Sequence, residues 1–442
     1  MRYLILLFIC LNSVSAAEVS FERDTSIPLV YLNIAVKTGV VADPKGKQGL
    51  TNFLGEMLLR GTKSKSKQQI DLAFDQMGAT LETETRAESL ILRGAVLSSK
   101  LDSFLSLLEE LIIQPSFPSK EIKKLKKEII SEILENLSED KTVAKNKFYR
   151  FLFDNHPYGN SILGKQSNIK KIKRADIKKH YLNLFTNEQL IIVGTGDASE
   201  KKLTMWANSL SQKLPSNSQV NQVTLPSNSK TTRLQIIDKG DRTQTQIYGG
   251  QVGVHMTSPE FFPLYVANHV FGGGSFSARL MTEIRVKRGW SYGAYSWFKH
   301  GTMPRSWQFW LFPASKYTPE ALSHTLNMIK ELRENGITEK EFNFAKQSLI
   351  NSAGFKYNTP KKRAENILIE KTLNLPEGFM KSFGEKIKPI TLEQANSALK
   401  RFLNPNKLSI VVLGTAKDLK EDLAKAIGVS PNKVKVVPYT KE

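Results

Sequence analysis

The chain has 442 residues, 40% of them hydrophobic and 24% charged, which excludes global disorder and leaves room for two or three domains with full cores. Its single cysteine, Cys10, excludes an intrachain disulfide framework, and because it falls in an N-terminal segment expected to be cleaved, no thiolate chemistry is expected of the mature chain. The net charge of +21 gathers in lysine clusters at 63–67, 123–127 and 170–179, but these lack interleaved aromatics and read as solvated helix faces, not a nucleic-acid surface.

Residues 1–17 read as a signal peptide. Arg2 supplies the basic start, Tyr3–Leu11 the apolar run, and Val14, Ser15 and Ala16 the small residues before a cleavage point near Ala16/Ala17. The run is too short to span a membrane, and no later stretch is long and apolar enough. The expected location is periplasmic or secreted.

Strands are expected at 30–39 and within 79–97, with a helix at 99–112. Between the first two strands lies "GLTNFLGEMLLRGT", Gly49 to Thr62. Leu50, Phe53, Leu54, Met57 and Leu58 form one apolar helical face, with Asn52 and Glu56 one turn apart on the opposite side. Gly55 sits mid-helix, where glycine costs roughly 1 kcal/mol relative to alanine.

The segment 180–203 resembles 398–423: a helix end, a turn, a buried strand, a Gly-Thr stop and a second helix. The offset of 217 to 220 residues implies two homologous halves. Strands at 245–254 and 291–301 and a helix at 318–335 fill the second half. The reading is an α+β chain of two domains, 18–212 and 233–442, each a mostly antiparallel sheet with helices packed on it. The Ser-, Asn- and Pro-rich stretch 213–232 reads as an extended linker. "VGTGD" at 193–197 lacks the third glycine of a dinucleotide loop and reads as a strand-ending turn. "FGGGSFSARL" at 271–280 reads as a joint leading into a helix, with Ser275 or Ser277 as its N-cap.

The helix at Gly49–Thr62 resembles the zinc-site helix of the pitrilysin/insulinase family of peptidases, the inverzincins, whose pattern is Gly-Leu-x-His-x-x-Glu-His-Met-x-x-x-Gly-Thr. The apolar frame Gly49, Leu50, Phe53, Leu54, Met57, Gly61 and Thr62 is intact. The chemistry is not. Asn52 and Glu56 stand where the resemblance places the two zinc histidines, and Gly55 stands where it places the water-activating glutamate. The third family ligand falls on Glu132. A set of Asn52, Glu56 and Glu132 is oxygen-only and unsuited to peptidase zinc. No histidine precedes His156, and no two histidines lie within one helical turn. His156, in "HPYGNSILGK", matches a His-Pro-Tyr-Gly segment of the family's first half and reads as structural.

The second half keeps its pattern. "GGGSFSARLMTEIRVKRGWSYGAY" at 272–295 resembles a family segment in which an arginine, and a tyrosine seven residues later, bind the substrate backbone and stabilise the oxyanion. These positions are Arg285 and Tyr292. The resemblance spans nearly the whole chain and implies a non-catalytic subunit of a heterodimeric zinc endopeptidase. No metal is expected on this chain; zinc and the base belong to a homologous partner, and extended peptides are the implied substrate. On this reading Gly55 is a position released from chemical demand. Two other readings remain: a stand-alone peptide-binding or chaperone-like protein that adds extended peptides to a sheet edge, and a structural role in a larger assembly.

Overall fold

The computed structural model describes residues 17–216 and 223–441. The signal segment through Ala16, and 217–222 of the linker, lie outside the described residues.

Two sheets with the same strand order form the frame. The first half contributes β1 (Glu18–Arg23), β2 (Leu29–Val36), β3 (Thr80–Thr85), β4 (Leu90–Leu97) and β5 (Leu190–Gly196), ordered β1-β5-β2-β4-β3. The second half contributes β6 (Arg233–Asp238), β7 (Gln246–Val252), β8 (Ser291–Phe298), β9 (Ser306–Pro313), β10 (Ser409–Gly414) and β11 (Lys435–Pro438), ordered β11-β6-β10-β7-β9-β8. In each sheet the first strand of the half pairs in parallel with the last long one, β1 with β5 and β6 with β10. The other neighbours are antiparallel, apart from the parallel edge strand β11. The α+β, two-domain architecture is therefore as the repeat implies.

The strands β5, "LIIVGTG", and β10, "SIVVLG", are buried at every position. Continuous apolar runs of this kind need cover on both faces. One face of each sheet carries helices of its own half. The other is covered by a helix from the opposite half. The helix Asp140–Phe153 lays Val143, Ala144 and Phe148 against Tyr248, Val411 and Leu413 of the second sheet. Reciprocally, the helix Pro360–Thr372 lays Ala364 and Leu368 against Ala35, Ile91, Ile191 and Val193 of the first sheet.

Polar contacts fix this exchange. The Thr195 hydroxyl donates to the Pro360 carbonyl at 2.8 Å. Arg363 pairs with Glu22 at 2.6 Å and with Asp24. At the other rim, Glu88 accepts from the Thr302 amide at 2.9 Å, from the Thr302 hydroxyl and from the Tyr158 hydroxyl. The linker is strapped down as well. His156 accepts from the Tyr158 amide through Nδ1, so its Nε2–H donates to the Thr224 carbonyl at 2.8 Å. Asn228 accepts from the Val252 amide at 2.7 Å.

Candidate functional site

The motif helix runs Leu50–Leu58 and buries the apolar face that its periodicity implies. Its entry is set by Asp43, which accepts from the amides of Gly49 (2.6 Å) and Thr51 (2.7 Å) and from the Thr51 hydroxyl (2.7 Å). Two otherwise orphaned donors at the helix start are thereby satisfied. Gly49 has φ +96°, open to glycine and strained for other residues. The Thr51 hydroxyl proton goes to Asp43, so His180 Nε2–H donates to the Thr51 oxygen at 2.8 Å. Burial holds the Asp43 carboxyl up at about 6 and His180 down at about 4.

Asn52 and Glu56 are half-buried on the opposite side of this helix. Glu56 accepts from the Thr83 hydroxyl of β3 at 3.2 Å. Glu132 lies exposed on the helix Ser119–Glu135. Desolvation raises its carboxyl, and the charges of Glu56 and Glu135 raise it further, so the structure does bring Glu56 and Glu132 into one electrostatic neighbourhood.

A cation already answers Glu56, though not Glu132. Arg60 is buried at the end of the same motif, with Glu128 at 2.8 Å and Glu56 and Glu121 each at 3.8 Å. Zinc does not fit here. The donor set is oxygen-only, and no imidazole joins it. Among the described residues no three His, Cys, Asp or Glu side chains come together as a metal-binding group.

Gly55 packs closely against the first sheet. A Cβ built there would lie 2.6 Å from Leu90 Cδ1, with Thr83 at 3.6 Å. Leu90 is fully buried and fills the space beside the helix. A methyl there requires the buried Leu90 side chain to turn aside, so helix-on-strand packing favours the glycine beside the absence of chemical demand.

On the second half, Arg285 lies in the π-helical turns Met281–Lys287. Its guanidinium carbon is 4.0 Å from the centre of the Tyr292 ring and 4.8 Å from that of Phe276. Tyr292 is 72% exposed and Phe276 62% exposed. Tyr292 is the second residue of β8, where the pairing with β9 shifts register between Ser291 and Ala294; such bulges re-aim side chains. No hydrogen bond or ion pair holds Arg285 among the described residues. The structure thus joins the two residues that the motif separates by seven positions, and leaves all the guanidinium donors free. The expected N-cap is corrected: the Ser277 hydroxyl donates to the Gly274 carbonyl at 2.7 Å and Ser275 has φ +53°, so neither caps the helix that follows.

No hydrogen bond, ion pair or ring contact among the described residues joins the Glu56 cluster to the Arg285 cluster. Sequence reasoning missed Arg60, although it stands four residues after Glu56 on the same helical face. It also missed Phe276 and the Asp43–Thr51–His180 network, which only the folded chain assembles.

Residues 18–166 match the family described as insulinase, peptidase family M16, and residues 171–349 match the peptidase M16 inactive domain. The chain belongs to the M16 peptidase family. Among its M16 relatives is a protein of Helicobacter pylori named as a non-peptidase homolog, YmxG, 23% identical over 90% of this chain and 92% of that one. The beta subunit of the mitochondrial-processing peptidase of Blastocladiella emersonii is 20% identical over 91% of this chain and 88% of its own. The crystal structure of a peptidase M16 inactive domain from Pseudomonas fluorescens superposes with a TM-score of 0.85 at 24% identity, covering 90% of this chain and 96% of that one, which establishes the shared fold.

Proposed function

We propose that this M16 chain is the substrate-binding, non-catalytic subunit of a heterodimeric zinc endopeptidase in the periplasm, and that a homologous partner carries the zinc. The observation that carries the reading is the contrast between its two halves. The motif helix carries neither the two histidines nor the glutamate of the family pattern, and its Glu56 is shared with Arg60, which also pairs with Glu121 and Glu128. Arg285 stacks on the exposed Tyr292 ring and no hydrogen bond or ion pair among the described residues takes its guanidinium. A guanidinium and a phenol held this way are donors for a peptide carbonyl, and for the negative charge that grows on it during hydrolysis. Relatives named as a non-peptidase homolog and as one subunit of a processing peptidase support the same reading.

The test is recovery of tagged residues 18–442 from native periplasmic extract, with metal analysis and a quenched-peptide assay of the eluate. Zinc and cleavage only with a co-eluting chain of similar size support the proposal. A lone chain that binds peptide without cleaving it would replace the proposal with the stand-alone peptide-binding reading.

A further inference from the structure

A cavity of about 580 Å³ opens between the helix Asp140–Phe153 and the inner face of β7, β8 and β9. It includes neither Arg285 nor Tyr292, nor any residue of the motif helix. Its walls are aromatic. Trp310 stacks between Tyr248 and Tyr295, with ring centres 6.0 and 5.7 Å away. Its charges are all positive: Lys141, Lys145 and Lys299 line it, and no aspartate or glutamate does. The Lys141 ammonium sits 3.9 Å from the Trp310 ring centre. None of the three lysines enters an ion pair among the described residues. The acid beside Lys141 in sequence, Asp140, is already held by Lys239 at 2.6 Å and Arg242 at 3.4 Å. Burial, and then the nearby charges of Arg305, Lys145 and Arg86, lower the Lys299 ammonium. Another buried atom of the lining, His300 Nδ1, has no hydrogen-bond partner.

The geometry points to a receptor for an acidic segment of a bound peptide, its carboxylates held by Lys141, Lys145 and Lys299 and its flanking side chains packed against the aromatic wall. Three cations without an ion-pair partner around one cavity lower their mutual repulsion by taking an anion. Ring faces add contact area without choosing a sequence. This inference deepens the proposed function by naming the substrate class, and it rests on the reading that the chain holds peptides.

The isolated chain, residues 18–442, is titrated with a neutral-dye decapeptide rich in glutamate with one tryptophan, read by fluorescence anisotropy at low salt. The same peptide with lysine in place of glutamate, and a single-stranded oligonucleotide, are the comparisons. Lys145→Glu/Lys299→Glu is set against Lys178→Glu/Lys179→Glu, an exposed pair on the helix Arg174–Leu184 with the same charge change. The expected result is binding of the acidic peptide alone, weakened about tenfold or more by the cavity variant and about twofold or less by the control. Equal weakening by both variants would assign the binding to net charge and overturn the inference. So would equal binding of the lysine peptide, or tighter binding of the oligonucleotide that the cavity variant abolishes. Lys145→Met/Lys299→Met, with an unchanged unfolding midpoint, guards against misfolding. Because no partner and no zinc are present in this titration, failure here is separable from failure of the heterodimer.

Discussion

The guanidinium of Arg285 stacks 4.0 Å from the centre of the exposed Tyr292 ring and makes no hydrogen bond or ion pair with the rest of the described chain. A buried arginine left this way would cost stability; a surface one is nearly neutral and available to a ligand. Arg285→Ala and Tyr292→Ala are therefore expected to change unfolding stability by only about 0.5 kcal/mol or less, measured by denaturant titration. A loss of 2 kcal/mol or so in either would give the pair a structural role instead.

Gly55 makes the opposite kind of statement. On helix propensity alone, Gly55→Ala would stabilise by about 1 kcal/mol. The new methyl would meet Leu90 Cδ1 at 2.6 Å, so a net destabilisation of about 1–2 kcal/mol is expected. A double-mutant cycle with Leu90→Val is expected to recover part of it. Stabilisation by Gly55→Ala would mean that Leu90 moves aside freely.

The exchange of helices predicts that the two halves unfold together. Leu368 belongs to the second half but is buried among Ala35, Ile91, Ile191 and Val193 of the first. Leu368→Ala is expected to cost about 2–5 kcal/mol and to lower both halves to one common midpoint. Fluorescence of Trp206 in the first half and of the tryptophans in the second reads them separately. Two midpoints, with only the second shifted, would contradict the account.

The Asp43–Thr51–His180 network sets a pH signature. Asp43 titrates at about 6 against an ordinary 3.8, so between those values the folded chain holds a proton that the unfolded chain lacks. That term favours folding at low pH and is lost as pH rises through 6. His180 titrates at about 4 against 6.5, so its term favours folding at high pH and is lost as pH falls from 6.5 toward 4. Between pH 6 and 4.5 the two cancel. Asp43→Asn removes the first, and stability is then expected to fall by about 1.4 kcal/mol per pH unit through that window. Below it, Glu283 and Glu341, each held at about 2 by hydrogen bonds and cations, add ordinary acid sensitivity to both proteins. Equal slopes for the two proteins from pH 6 to 4.5 would exclude the coupling.

What the sequence disclosed follows from locality. The Leu50–Leu58 helix was legible because its apolar spacing is a helical period, and the repeated frame around β5 and β10 because both copies keep their buried strand and Gly-Thr stop. The cover on the second face of each sheet was not legible. The apolar stripe of Asp140–Phe153 says that it buries something, not that it buries the sheet of the other half. Leu90 beside Gly55 and Phe276 beside Arg285 depend on loops that carry no period, so only the folded chain reveals them. Arg60 was within reach, as the i+4 partner of Glu56.

The most direct measurement of the central claim is peptide cleavage by the purified zinc-bearing partner alone, with this chain, and with its Arg285→Ala variant, at equal zinc content. The account predicts that this chain raises kcat/KM strongly and that Arg285→Ala, still bound to the partner, removes about 10²-fold of that gain. Cleavage by the partner alone at the full rate, or a variant as active as the parent chain, would contradict it.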